Sequence, residues 1–200
     1  MPRPFTSVES TAIRSRLLEV AGESFARRGL RATSVESLAR AAGISKGAFY
    51  GFFASKEELF LSLVDEHEQR MHAEVATAVR ADPHRGVEVL LAMALSATQD
   101  DPLMTVVMSD EGAAVLRSMD PQQREALLRR DEVLVDTLVV VLGDAGVQLS
   151  VPPGLLVGLL RSLVFVGWHR EDIGPDLVDE VAAWLTPALR SALLTEAAGR

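Results

Sequence analysis

The stretch SKGAFYGFF, residues 45–53, places hydrogen-bonding and small side chains side by side: Ser45, Lys46, Gly47, Ala48 and Tyr50. Ser45 is a helix-capping residue type, so the residues after it occupy the first turn of a helix, with the Lys46 ammonium at its tip. Gly47 and Ala48 leave room for a partner surface to approach closely. A helix that enters a DNA major groove N-terminus first needs this combination, because a lysine there can donate to guanine O6 and N7. Tyr50 can donate its hydroxyl to a phosphate while its ring packs below. Thr33 and Lys56, at the expected starts of the flanking helices, combine donor side chains with unpaired backbone N–H groups, which suits phosphate oxygens. Phe49 and Phe53 have the spacing of core residues instead.

Positioning these side chains requires helices on both sides. Ile13, Leu17, Val20, Ala21, Ser24 and Phe25 recur at helical spacing and predict a first helix over 8–28, stopped by Gly29. Thr33 and Glu36 have capping-box spacing and open a very short second helix that Gly43 ends. The third helix runs from Ser45 through residue 53. Ser55 and Glu58 repeat the capping-box spacing and start a long fourth helix, which meets no breaker until Pro83. Two short helices joined around Gly43 make a helix-turn-helix. Further helices are expected over 84–99, over 102–118 with a break near Gly112, from Pro121 to Leu142, from Pro152-Pro153 to about Arg170, and from Gly174-Pro175 to about Ala197. The reading is all-α, about nine helices, with disorder only in the first several and last few residues.

Composition agrees with that class: only 5% of residues are aromatic, while Ala, Leu, Val, Arg and Glu abound. The net charge of −8 argues against a protein that coats nucleic acid over its whole surface. Residues 1–60, however, hold nine Lys or Arg against six Asp or Glu, whereas residues 61–200 hold eleven against twenty-two. A basic docking module on an acidic body fits that asymmetry. The chain has no Cys, which excludes disulfides and thiolate metal sites and makes a reducing cytoplasm its expected home. No signal peptide is evident in MPRPFTSVES. The apolar run GLLVGLLRSLVFVGW, residues 154–168, carries Arg161 at its centre and falls short of the ~20 residues a membrane span needs, so it reads as a buried helix.

Enzyme signatures do not hold up in context. GESFA, residues 22–26, places Ser24 inside a continuous amphipathic helix, whereas a nucleophile elbow needs a strand-turn-helix. In HEQRMH, His67 and His72 lie five residues apart, roughly 140° around a helix, so they cannot share a metal without distortion. No glycine-rich phosphate loop is present. No catalytic residue, metal site or cofactor is expected. An all-helical small-molecule-binding protein or hydrolase without sequence-specific DNA binding remains the alternative.

TSVESLARAAGISKGAFYGFFASKEELF resembles the DNA-binding region of the TetR (tetracycline-repressor-like) family of transcriptional regulators, through Thr33, Ala39, Ala42-Gly43, Ser45, Gly47, Tyr50, Phe53 and Lys56-Glu57-Glu58-Leu59. Two positions depart from the family: Phe52 stands where His or Tyr helps hold phosphate, and Gly51 where a side chain often reaches the groove. Base reading would then rest more heavily on Lys46 and Ala48. The resemblance implies a three-helix DNA-binding module over 8–54 and a regulatory and dimerisation domain over 55–200. It implies a homodimer that binds an operator in double-stranded DNA and responds to a small molecule, most often as a repressor; a Met-rich lining would suit an apolar or aromatic effector. Met71, Met93, Met104, Met108, Phe165 and Trp168 populate the helices that line the ligand cavity in similar proteins, with His67 and His169 as polar contacts; ordinary core is the competing reading. Gly154, Gly158 and Ser162 form a small-residue stripe, and with Leu177, Val181, Trp184 and Leu185 of the last helix they make the expected dimer interface, unless the stripe packs within one subunit.

Overall fold

The computed structural model describes residues 5–96 and 101–196. Among the described residues it contains eleven α-helices: α1 (Ser7–Ala32), α2 (Val35–Ala41), α3 (Lys46–Phe49), α4 (Lys56–Ala81), α5 (Gly86–Ser96), α6 (Pro102–Met108), α7 (Asp110–Ser118), α8 (Pro121–Asp144), α9 (Pro153–Trp168), α10 (Arg170–Ile173) and α11 (Pro175–Leu193). A 3-10 turn, Pro83–Arg85, precedes α5, and two short strands, β1 (Val147–Leu149) and β2 (Leu194–Glu196), pair antiparallel. None of these helices is long and apolar enough to cross a membrane.

The chain divides into two compact units. The first takes the described residues of Met1–Glu68 together with Pro102–Met119. Its core is built by Leu17, Ala21 and Phe25 of α1, Leu38 of α2, Phe49 and Phe53 around α3, and Leu59 and Phe60 of α4, each 1% exposed or less. Burying each large side chain stabilises the unit by about 1.5–3 kcal/mol. Phe25 and Phe60 meet edge-on at 5.8 Å, and the Arg14 guanidinium lies 4.6 Å above the Phe53 ring. Leu103, Val106 and Val107 of α6 and Val115 of α7 join this core. The expected boundary at residue 54 therefore falls inside a larger unit: α1 carries more apolar surface than two short helices can cover, and α6 and α7 cover the rest.

The second unit takes the described residues of Gln69–Asp101 and of Asp120–Arg200. Leu90 and Leu91 of α5, Val135, Leu138 and Leu142 of α8, and Leu156 and Val157 of α9 form its centre. At Gly167 a methyl group would stand 2.4 Å from the Leu95 carbonyl oxygen, so α9 crosses α5 at a distance that only glycine permits.

Several expected boundaries move. Gly29 does break α1, with φ of +79°, but one more turn follows it. The α2 cap is Ser34, whose hydroxyl accepts from the Ser37 amide, rather than Thr33. The third helix ends at Phe49 rather than at residue 53, and the chain continues through Gly51 and Phe52 amides bonded three residues back. The 102–118 segment breaks at Ser109, not near Gly112: Ser109 caps α7, and Gly112 sits inside it because a methyl there would fall 2.3 Å from the Val106 carbonyl oxygen. The segment expected as helix over 84–99 begins as the 3-10 turn, and its residues 97–99 lie outside the described residues. At the other end, α8 passes Gly143 and stops before Gly146, φ +77°. The last helix ends at Leu193, since residues 194–196 pair with β1 in the register Val147↔Glu196 and Leu149↔Leu194. Ala197 and the terminal segments expected to be disordered also lie outside the described residues, apart from Phe5 onwards at the N-terminal end.

Candidate nucleic-acid interface

The turn between α2 and α3 explains how the cationic segment is presented. After Ala41, the Gly43 amide donates to the Arg40 carbonyl at 3.1 Å and the Ile44 amide to the Ala39 carbonyl at 2.9 Å. This closing pattern needs the left-handed backbone that Gly43 supplies at φ +75°. Ser45 then caps α3, its hydroxyl accepting from the Ala48 amide at 3.1 Å. Phe49 is wholly buried and anchors α3 from below, leaving Ser45, Lys46, Gly47 and Tyr50 exposed and Ala48 half-exposed. Gly47 has no neighbour nearer than 3.9 Å to the place of a side chain, so nothing inside the chain demands glycine there. Tyr50 is 51% exposed, with its ring edge-on to Phe49 at 5.6 Å.

A shallow cleft of about 380 Å³ opens between the starts of α2, α3 and α4. Ser34, Lys46, Tyr50, Ser55 and Lys56 line it. Two acidic side chains also line it: Glu36, paired with Arg40 at 3.0 Å, and Glu57. Phe52, half-buried, packs with its ring tilted against Phe5 at 6.0 Å and adds no donor.

Two expected phosphate contacts are corrected. Thr33 is fully buried, and its hydroxyl donates to the Gly29 carbonyl at 2.8 Å. It is spent on the backbone broken at Gly29. The Lys56 ammonium donates to the carbonyls of Leu30, Arg31 and Thr33 at 2.7, 3.2 and 3.0 Å. An ammonium has three protons, so Lys56 acts as the cap of α1's last turn, where a cation is favoured. Sequence reading missed Ser34, the exposed donor at the α2 start, although the Ser34–Ser37 spacing carries a capping signal one residue along from the Thr33–Glu36 pair. It also missed Glu111 of α7, which accepts from the Arg31 amide at 2.9 Å; a partner 80 residues away leaves no local trace.

The expected effector residues are divided between the two units. Met104 and Met108 pack on the core of the first unit, and His67 lies in that unit too. Met71, Met93, Phe165, Trp168 and His169 lie in the second. Met93 packs on its core, whereas Phe165 is 59% exposed and rests against the His169 ring at 4.6 Å, so it faces outward. A cleft in the second unit is lined by other side chains altogether.

The expected dimer residues are largely unburied. Gly154, Gly158 and Ser162 are exposed, and the first two have no atom within 4 Å of where a side chain would stand. The stripe thus faces away from its own unit. On α11, Leu177, Val181 and Trp184 are 52%, 49% and 75% exposed and Leu185 is half-buried.

Residues 17–63 match the model of the family described as bacterial regulatory proteins, tetR family. The chain is 36% identical over 100 residues to the transcriptional repressor KstR2 of Mycobacterium tuberculosis, a stretch covering 49% of this chain and 50% of the relative. It spans about half the length of that curated relative. A tetR-family transcriptional regulator from Pectobacterium atrosepticum superposes with a TM-score of 0.72 at 24% identity, covering 96% of this chain and 100% of the other. The regulator FadR of Bacillus subtilis, solved in complex with stearoyl-CoA, superposes with a TM-score of 0.64 at 18% identity over 89% of this chain and 98% of that one. These last two likenesses concern the fold.

Proposed function

We propose that this protein, a tetR-family member through residues 17–63, is a dimeric, ligand-responsive transcriptional regulator that binds an operator in double-stranded DNA. The observation that carries the reading is the exposed Lys46-Gly47-Ala48 tip of α3, held over the buried Phe49 by the Gly43 turn. A helix presented N-terminus first, with a cation and no bulk, suits a major groove. Lys46 donates to base edges, while Tyr50, Ser34 and the backbone amides at the cleft hold phosphate. Reading at residues 51 and 52 is absent, so the base code rests on Lys46 and Ala48.

The partner for the second unit is a second copy. Gly154, Gly158 and Ser162 of α9 and Leu177, Val181 and Trp184 of α11 leave an apolar surface that a monomer would expose to water, and a two-fold pairing covers it on both copies. Such a dimer presents two α3 helices to two half-sites. Repression relieved by an apolar small molecule is the regulatory mode, supported by the repressor relative and by the acyl-CoA complex of FadR. Coupling of about 1–3 kcal/mol would weaken operator binding roughly 5-fold to 150-fold when the effector binds. The protein would work in the cytoplasm, without catalysis. Footprinting on the DNA surrounding the encoding locus tests the reading: a protected, two-fold-symmetric site supports it, and uniform, sequence-blind protection removes it.

A further inference from the structure

The second unit holds a cleft of about 570 Å³ between α5 and α11, within the range of small-molecule sites. Val89, Ala92, Ala182 and Pro187 give it apolar walls. Its polar groups are unevenly supplied. Arg170 and Asp179, at one end, are paired to each other through the two terminal guanidinium nitrogens and both carboxylate oxygens. Glu88 reaches the wall that this cleft shares with a neighbouring one of about 490 Å³. One of its oxygens is held by the Arg190 Nε at 3.1 Å. The other, Oε2, is covered from solvent and has no hydrogen-bond partner among the described residues. A covered carboxylate oxygen without a donor is unfavourable, so the site gains from any group that brings one. A second acceptor lies nearby: Pro187 inside α11 has no N–H to offer the Ala183 carbonyl one turn back, and Ala183 also lines the cleft.

We propose that this cleft is a binding site for an apolar compound carrying an N–H or O–H donor, which Glu88 Oε2 accepts once the side chain, 22% exposed, turns that oxygen into the cleft. The donor ligand completes the hydrogen bonding of Glu88, and its hydrocarbon body lies against Val89, Ala92 and Pro187. Glu88 is already charge-paired with Arg190, so a neutral hydroxyl serves as well as an ammonium. A carboxylate, although drawn to the exposed Arg85 at the cleft's edge, would face Oε2 without a proton to give. The inference rests on the effector-responsive reading above for its biological purpose and names the site and ligand class for it.

Calorimetry on the full chain with three eight-carbon probes, octanol, octylamine and octanoate, tests this without DNA. Octanol and octylamine are expected to bind about tenfold or more tighter than octanoate. Glu88→Gln, which keeps an oxygen for Arg190 and turns the other position into a donor, is expected to remove that preference or reverse it. Ala92→Phe, on an exposed position of the cleft wall, is expected to abolish binding of all three while leaving the thermal unfolding midpoint unchanged. Equal binding of the three probes, no binding of any, or parent-like selectivity in Glu88→Gln overturns the proposal. So does parent-like binding in folded Ala92→Phe. Sequence-selective DNA binding by the same unliganded preparation is read separately: its loss would remove the regulator reading and leave the cleft result standing, whereas a silent cleft with intact DNA binding removes only the site.

Discussion

At the residue scale, Lys46 and Lys56 look alike in the sequence, yet the structure gives them different work. Lys46 is exposed at the tip of α3, so Lys46→Ala is expected to cost about 1–3 kcal/mol on a cognate site and to blur preference at one base pair. Competition binding against scrambled duplex reads this directly, and equal losses on both duplexes would refute it. Lys56 holds three backbone carbonyls, so Lys56→Ala is expected to lower folding stability by about 1–3 kcal/mol, measured by denaturant unfolding. The exposed, capped position of Lys46 was legible because capping, charge and small neighbours are adjacent in sequence. Those of Lys56 and Thr33 were not, because the carbonyls that occupy Lys56 lie 23 to 26 residues away and the Gly29 break that occupies Thr33 is visible only in the fold. His72 offers a test by pH. Burial holds its pKa below the ordinary 6.5, outweighing the pull of Asp131, which is 3.8 Å away and already bonded by Arg161 at 2.8 Å. The fold therefore favours neutral imidazole. Its contribution is present above pH 6.5 and is lost as pH falls through the lowered value, so acid unfolding should come later in His72→Asn.

At the element scale, most helices were readable from apolar spacing, Gly stops and Pro starts, as α4 and α8 show. The pieces that escaped have non-local causes. The break at Ser109 depends on α7 packing its Gly112 against the Val106 and Val107 carbonyls, and β2 exists only because β1 lies alongside it. The glycines of α9 separate two kinds of small residue that the sequence could not tell apart. Gly167→Ala drives a methyl into the Leu95 carbonyl and is expected to destabilise the second unit by about 1–3 kcal/mol. Gly158→Ala meets open space and should leave unfolding of the isolated subunit unchanged. Thermal unfolding of the two variants at low protein concentration checks the contrast. Similar losses in both would mean that α9 buries both faces within one chain.

At the scale of the whole molecule, the charge asymmetry marks residues 1–60, but the unit they belong to also takes residues up to Glu68 and α6 and α7. Over Met1–Glu68 and Pro102–Met119 ten Lys or Arg stand against eleven Asp or Glu, so the unit as a whole is not basic. In the proposed dimer, a second copy covers the outward apolar surface of α9 and α11. Trp184→Glu, at a side chain 75% exposed, should yield a folded monomer in light scattering and weaken operator binding, since one half-site is then engaged instead of two. A Trp184→Glu protein that remains dimeric would place the interface elsewhere. The central claim, that the Gly43-turned α3 reads DNA, is tested most directly by selecting binding sites from random duplexes with purified protein. The account predicts enrichment of a two-fold-symmetric sequence whose affinity falls steeply with salt and whose preference at one base pair per half-site weakens in Lys46→Ala. Recovery of no enriched sequence, or of one read equally well by Lys46→Ala, would contradict it.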